Sequence, residues 1–195
     1  MATRTSSEVG RGGRRAELLE IAARLFADGG YAGTSMGDIG AAAGISGPAL
    51  YWHFSSKEAL LSELLADVSE DLLSGARACR AEATDGAQAL ALLVDAHLAF
   101  AVGEVAMITL HERELVHLPP DTQHRIRRAQ RLYIEEWVAA LRQVHPASSA
   151  ERCRAVVQGT FGLLNSTPRL TWMSASELTR VLRQAALATL GSVQP

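Results

Sequence analysis

The chain has 195 residues, 48% of them hydrophobic and 21% charged, with a formal net charge of -2. That length and apolar share are enough for a buried core and exclude an intrinsically disordered polymer. The near-neutral balance excludes a globally basic surface, so any positive field has to be local.

Residues 1–13 carry Arg4, Arg11 and three glycines, and they read as a flexible N-terminal arm. The polar start contains no signal peptide. From Arg14 to Asp28, Leu18, Leu19, Ala22, Leu25 and Phe26 recur at helical spacing, and Gly29-Gly30 ends that first helix. Thr34 or Ser35 caps a second helix, with Asp38 placed for a capping box. Met36, Ile39 and Ala43 face the first helix, and Gly44 stops the second in the left-handed conformation. Ser46 caps a third helix and Pro48 sits in its first turn, where a missing N–H costs nothing. Ser55 with Glu58 predicts the cap of a fourth.

The body that follows reads as helix throughout. Leu60 to Leu73 mark a long fourth helix that reaches about Ala83 and is broken at residues 84–86. Gln88 to Val102 predicts a very apolar fifth, and the run from Ala87 to Val102, broken by Asp95 and His97, reads as too short to cross a bilayer. Val105 to Leu118 predicts a sixth, and Pro119-Pro120 stops it. Asp121 is expected to cap a seventh helix that runs to His145. Ser148 or Ser149 caps an eighth through Leu164, and Ser176 to Leu190 predicts a ninth. No strand is expected. The fold class is all-α, with about nine helices. The chain divides into a flexible arm at 1–13, a helix-turn-helix DNA-binding domain at 14–55, and a helical bundle at 56–192, which the family resemblance described next makes a ligand-binding and dimerisation domain.

Residues 34–58, TSMGDIGAAAGISGPALYWHFSSKE, carry the chemistry of the head. A short third helix after a tight glycine turn is the geometry that enters a DNA major groove by its N-terminal end. Ser46, Gly47 and Pro48 then lie nearest base edges, while Thr34, Tyr51, His53 and Lys57 suit phosphates. Trp52 is read as a bridge between head and fourth helix. Lys57, one lysine among 19 basic residues, falls in a first helical turn. The macrodipole opposes a cation there by about 0.3–1 kcal/mol, and a phosphate would reverse that sign.

The pattern from Gly30 to Leu61 closely resembles the DNA-binding domain of the TetR family of transcriptional regulators. Its landmarks are Thr34, Asp38-Ile39, Ala43-Gly44-Ile45-Ser46, Ala49-Leu50-Tyr51, His53-Phe54 and Ser56-Lys57-Glu58. Gly47-Pro48 departs from the pattern, since a longer side chain often precedes the Leu-Tyr pair, and this leaves the base preference open. The resemblance implies a homodimer made through the last two helices, a double-stranded DNA operator, and a small-molecule pocket between the fourth, fifth and seventh helices, with the sixth coupling it to the head. His97, Phe100, Met107, His111, Tyr133, Trp137, Phe161 and Asn165 are the candidate pocket residues. The segments HERELVHLP and GLLNSTP are similar to actinobacterial regulators tied to fatty-acyl or lipid degradation, which implies an acyl-CoA or other lipid-derived effector. The function these readings predict is a homodimeric repressor, released from a palindromic operator by a small apolar or acyl-CoA-type ligand.

Other chemistries lack their motifs. The chain has no G-x-S-x-G elbow, phosphate-binding loop or dinucleotide fingerprint, so no catalytic residue and no cofactor is expected. Glu114 and His117 form a single Glu-x-x-His where a di-iron bundle uses two, so no metal is expected. Cys79 and Cys153 have no metal-ligand spacing and predict free thiols in a cytoplasmic protein without a membrane partner. Gly159 and Gly162 inside the eighth helix each cost about 1 kcal/mol relative to Ala, which points to a close helix approach or to room for a ligand.

Overall fold

A computed structural model describes residues 6–193, with side chains from residue 13 onward. The described residues contain no strand, as the all-α reading requires. They form α1 (Ser6–Gly33), α2 (Met36–Ala42), α3 (Gly47–Tyr51), α4 (Lys57–Glu82), α5 (Gly86–Gly103), α6 (Val105–Glu114), α7 (Pro120–Val144), α8 (Ala150–Leu164) and α9 (Ala175–Gly191). Short 3-10 turns follow α6 and α8 at Leu115–His117 and Thr167–Arg169.

The first five residues of the expected arm, Arg4 among them, lie outside the described residues, as does the Arg11 side chain. The backbone from Ser6 onward is helical, so residues 6–13 extend α1 instead of forming an arm. Gly30 breaks α1 with φ 73° and ψ 156°, a conformation that glycine adopts without a Cβ clash, and helix resumes to Gly33.

Two caps differ from expectation, and a third was not foreseen. Ser56, not Ser55, caps α4, its hydroxyl accepting from the Ala59 N–H at 3.0 Å. Asp85 caps α5 by accepting from Gln88 N–H at 2.8 Å. Asp121 lies in the first turn of α7 and caps nothing. Pro119 and Pro120 open that helix, and prolines have no N–H to satisfy.

Two apolar clusters organise the packing. The head cluster joins Leu18, Ala22 and Phe26 of α1 to Ile39, Leu50 and Phe54, and then to Leu60, Leu61 and Leu65 of α4. It also takes in Met107 and Leu110 of α6, Leu118, and Ile126 of α7. The body cluster is built from the second half of α4, α5, the rest of α7, α8 and α9, around the fully buried Trp137. α4 and α7 therefore run through both clusters, and α6 packs with the head. Each Leu or Ile buried this way contributes about 1.5–3 kcal/mol, so the tie between head and body is apolar and substantial.

α5 is the central body helix. By length and composition its 18 residues are enough to cross a membrane, which corrects the reading of this run as too short. Its packing explains the apolarity, since it contacts α4, α7 and α9. A Cβ at Gly86 would meet the Ala140 carbonyl of α7 at 2.8 Å, so only glycine permits that approach.

Candidate functional site

The head turn is built from local chemistry. Ser35 and Asp38 close a reciprocal capping box: the Ser35 hydroxyl accepts from Asp38 N–H at 3.1 Å, and the Asp38 carboxylate accepts from Ser35 N–H at 2.8 Å. The Ser35 hydroxyl also donates to the Asp38 carboxylate at 2.7 Å, and that bond, with the one from Ser35 N–H, holds the Asp38 carboxyl below its ordinary pKa. Gly44 takes φ 66°. A Cβ at Gly40 would come within 3.1 Å of the Ile45 carbonyl, so a glycine there lets the turn close. Ser46 then caps α3, accepting from Ala49 N–H at 3.3 Å.

Around this turn Ser46, Pro48 and Tyr51 are exposed, and Gly47 and His53 are half-buried. Trp52 is 90% exposed and Tyr51 54%, so Trp52 does not bridge to α4. It stands beside Tyr51 on the open face, and sequence reasoning missed it because a tryptophan reads by default as core.

Thr34 and Lys57 do not have the role expected of them. Thr34 is buried, with its hydroxyl 2.9 Å from the Gly30 carbonyl and 3.1 Å from that of Leu25. It fastens the end of α1. The Lys57 ammonium donates to the carbonyls of Tyr31 and Thr34, each at 2.8 Å, and lies 4.4 Å from the centroid of the Tyr31 ring. Two carbonyl dipoles and a π face thus offset the macrodipole penalty without any phosphate.

The nearby arginines are also engaged. Arg15 forks onto Glu63, donates to the His53 carbonyl and stacks 4.2 Å from the Phe54 ring centroid; the Glu63 bonds raise its pKa. Arg14 donates to the Ala43 carbonyl at 2.6 Å. The head's cations hold the helix-turn-helix to α1 and α4.

In the body, a cavity of about 290 Å³ opens between α4, α5, α6, α7 and α8. His97, Phe100, Met107, His111, Tyr133, Phe161 and Asn165 all line it. Trp137, the remaining candidate, is fully buried and packs edge-on to Phe161 at 4.8 Å, so it supports the wall instead of lining it. His97 is the hub. Its Nδ1 lies 3.0 Å from the Tyr133 hydroxyl and its Nε2 2.9 Å from Asn165 Oδ1. Burial pushes the His97 imidazole down to about 4, so it is neutral, and burial raises the Tyr133 hydroxyl. His111 pairs with Gln130 at 2.8 Å, and burial lowers its pKa too. Ser69, Gln130 and Glu112 also line this cavity. Isolated polar residues on long helices gave no sequence signal for them.

A second cavity of about 600 Å³ adjoins the first, between α1, α4, α5 and α6, and shares Val68, Leu72, Phe100, Met107 and Tyr133 with it. Glu20, Asp67, Asp71 and Glu104 face it, with Arg24 as the basic residue. Burial, reinforced by Glu63, raises the Asp67 carboxyl. Among the described residues no three His, Cys, Asp or Glu side chains are grouped to hold a metal.

Residues 18–64 match the family model described as bacterial regulatory proteins, tetR family. The HTH-type transcriptional repressor KstR2 of Rhodococcus jostii is 38% identical over 109 residues, which is 56% of this chain and 53% of that protein. The HTH-type transcriptional activator FasR of Mycolicibacterium smegmatis is 38% identical over 97 residues, 50% of this chain and 44% of that one. The chain thus spans about half the length of these curated relatives. Among solved structures, a TetR-family regulator from Bordetella parapertussis superposes with a TM-score of 0.80 at 27% identity, over 91% of this chain and 94% of that one. The ketosteroid transcriptional regulator KstR2 of Mycobacterium tuberculosis does so with 0.76 at 25% identity, over 93% and 95%. Residues 18–64 thus match the DNA-binding head of the tetR family, and the fold along nearly the whole chain is similar to that of TetR-family regulators.

Proposed function

We propose that the protein is a homodimeric repressor whose grip on a palindromic operator is set by a small molecule in the body. The observation that carries the reading is the position of α6. Met107 packs into the head cluster and also lines both cavities, so whatever fills them presses on the scaffold of the head. Residues 14–55 supply the DNA-binding unit, and the helices from residue 56 onward supply control and dimerisation. Ser46, Gly47, Pro48, Tyr51 and His53 make the contacts to DNA, joined by Trp52.

Support for the dimer comes from α8 and α9. Gly159 and Gly162 are exposed, and a Cβ at either would meet nothing in this chain. Ala155, Ala188 and the 39%-exposed Val181 continue that small, apolar face. Two copies paired there form a four-helix contact and set two recognition helices toward successive major grooves. A lone five-residue α3 reads too few bases for specificity. KstR2 bears the name repressor and FasR activator, and repression follows the relative that matches the longer stretch of this chain. The ligand is a small, mostly apolar molecule, and the site of action is the cytoplasm, where bacterial DNA lies. A differential affinity of about 1–3 kcal/mol between two body conformations loosens the operator 5–150-fold.

Selection of bound duplexes from a random pool tests the reading. Enrichment of an inverted repeat with half-sites one helical turn apart or a multiple of it is expected. No enrichment, or an asymmetric single half-site, contradicts it.

A further inference from the structure

The ligand-responsive reading leaves the chemistry of the effector open, and the cavity lining narrows it. The polar atoms around the 290 Å³ cavity are arranged as neutral pairs. His97 bridges Tyr133 and Asn165, and His111 pairs with Gln130. Ser69 donates its hydroxyl to the Leu65 carbonyl at 2.7 Å. Among the described residues lining the cavity there is no lysine or arginine, and the charged member is the carboxylate of Glu112. Arg169, 3.7 Å from that carboxylate, is 70% exposed and does not line the cavity. The adjoining cavity, through which a longer molecule would extend, adds four carboxylates against Arg24. Arg125, which lies 3.8 Å from Asp67, is directed to Glu70 at 2.7 Å.

An anionic headgroup entering either space leaves water, finds no cation inside the first cavity and faces carboxylates in the second. An unpaired charge in an apolar cavity costs far more than an apolar chain gains there. The hydrogen-bonding chain, in contrast, has capacity to spare. With Asn165 Oδ1 on the imidazole, His97 Nε2–H donates to Asn165 and Nδ1 accepts from the Tyr133 hydroxyl. The Asn165 amide hydrogens and a lone pair of Tyr133 are then left over. With the amide turned over, the chain runs the other way and the Tyr133 hydroxyl hydrogen is released instead. In either register the cavity wall offers both a donor and an acceptor to one neutral oxygen.

We infer that the effector, on the ligand-responsive reading proposed above, is an uncharged and mostly apolar molecule. A single carbonyl or hydroxyl oxygen docks on Tyr133 and Asn165, and free carboxylates and coenzyme A thioesters are excluded.

Isothermal titration of the full chain with four probes of matched chain length tests this: 2-decanone, decanoate, decanoyl-CoA and decyltrimethylammonium. 2-Decanone is expected to bind at least about tenfold more tightly than the two anions, a gap of about 1.4 kcal/mol. Asn165→Leu weakens 2-decanone about tenfold, the size of one net hydrogen bond, while leaving the fold intact by circular dichroism. Equal or tighter binding of decanoate or decanoyl-CoA overturns the inference and leaves ligand-responsive regulation standing. Tighter binding of the ammonium probe overturns it in favour of the acidic second cavity. Failure of all four on protein that still binds its selected DNA overturns the inference together with the ligand-responsive reading.

Discussion

The head and the body use polar side chains in opposite ways. In the head, Thr34, Lys57, Arg14 and Arg15 are tied down by backbone carbonyls and Glu63, and the open face presents aromatic rings, a hydroxyl and a proline. In the body, histidine, tyrosine and asparagine are collected on the wall of a cavity. One region uses polarity to lock its own shape, and the other gathers it around an open space. On the proposed function the head is the rigid reader, and the adjustable part of the molecule is the space behind it.

Changes that cross this divide test it, the largest first. His97 has its folded pKa near 4 against an ordinary 6.5. The neutral folded form is thus fully favoured above pH 6.5, and stability is lost as pH falls toward 4, where the unfolded chain binds a proton that the folded chain does not. That loss amounts to about 3 kcal/mol. Denaturant melts across that pH range should show it in the wild type and show it reduced in His97→Gln. Equal slopes in the two proteins would mean that His97 is not buried neutral.

On the head, Tyr51→Ala with Trp52→Ala should weaken the selected operator about 100-fold, or about 2.7 kcal/mol. Exposed rings contribute little to folding, so the melting point should stay put, within about 0.5 kcal/mol of stability. A folded double variant with wild-type affinity in a gel-shift assay would move the DNA face elsewhere.

Much of the head was legible in the sequence because its signals are short-range. Ser35 with Asp38, the φ 66° demanded of Gly44 and the cap at Ser46 each act over three or four residues. The engagement of Lys57 was not legible, since its partners Tyr31 and Thr34 lie on the far side of the helix-turn-helix in sequence. An exposed Trp52 cannot be told from a buried one by spacing alone. In the body, helix positions followed from periodicity, whereas the cavity draws on five helices and no local pattern encodes it. The resemblance gathered seven of its lining residues, while Ser69, Gln130 and the acidic residues of the second cavity escaped. Trp137 was right in neighbourhood and wrong in role, because a large ring one turn along α7 from Tyr133 faces the core.

Two smaller effects sharpen the contrast. Gly44→Val forces a β-branched residue into a left-handed turn at a cost of at least about 2 kcal/mol. The head should melt earlier while the body keeps its helicity, and a variant with unchanged melting would show that the turn tolerates a side chain. Lys57→Met should cost about 1–2 kcal/mol of stability through its lost charge-assisted bonds. It should leave the slope of operator affinity against salt unchanged, whereas a phosphate-binding lysine would lower that slope by about 1. A reduced slope would return Lys57 to the DNA interface.

Coupling between the two regions is the central claim, and fluorescence anisotropy of the selected operator at fixed salt measures it most directly, with and without saturating 2-decanone. Operator binding should weaken between about 5- and 150-fold once the cavity is filled. Identical operator affinity with the probe bound would contradict it.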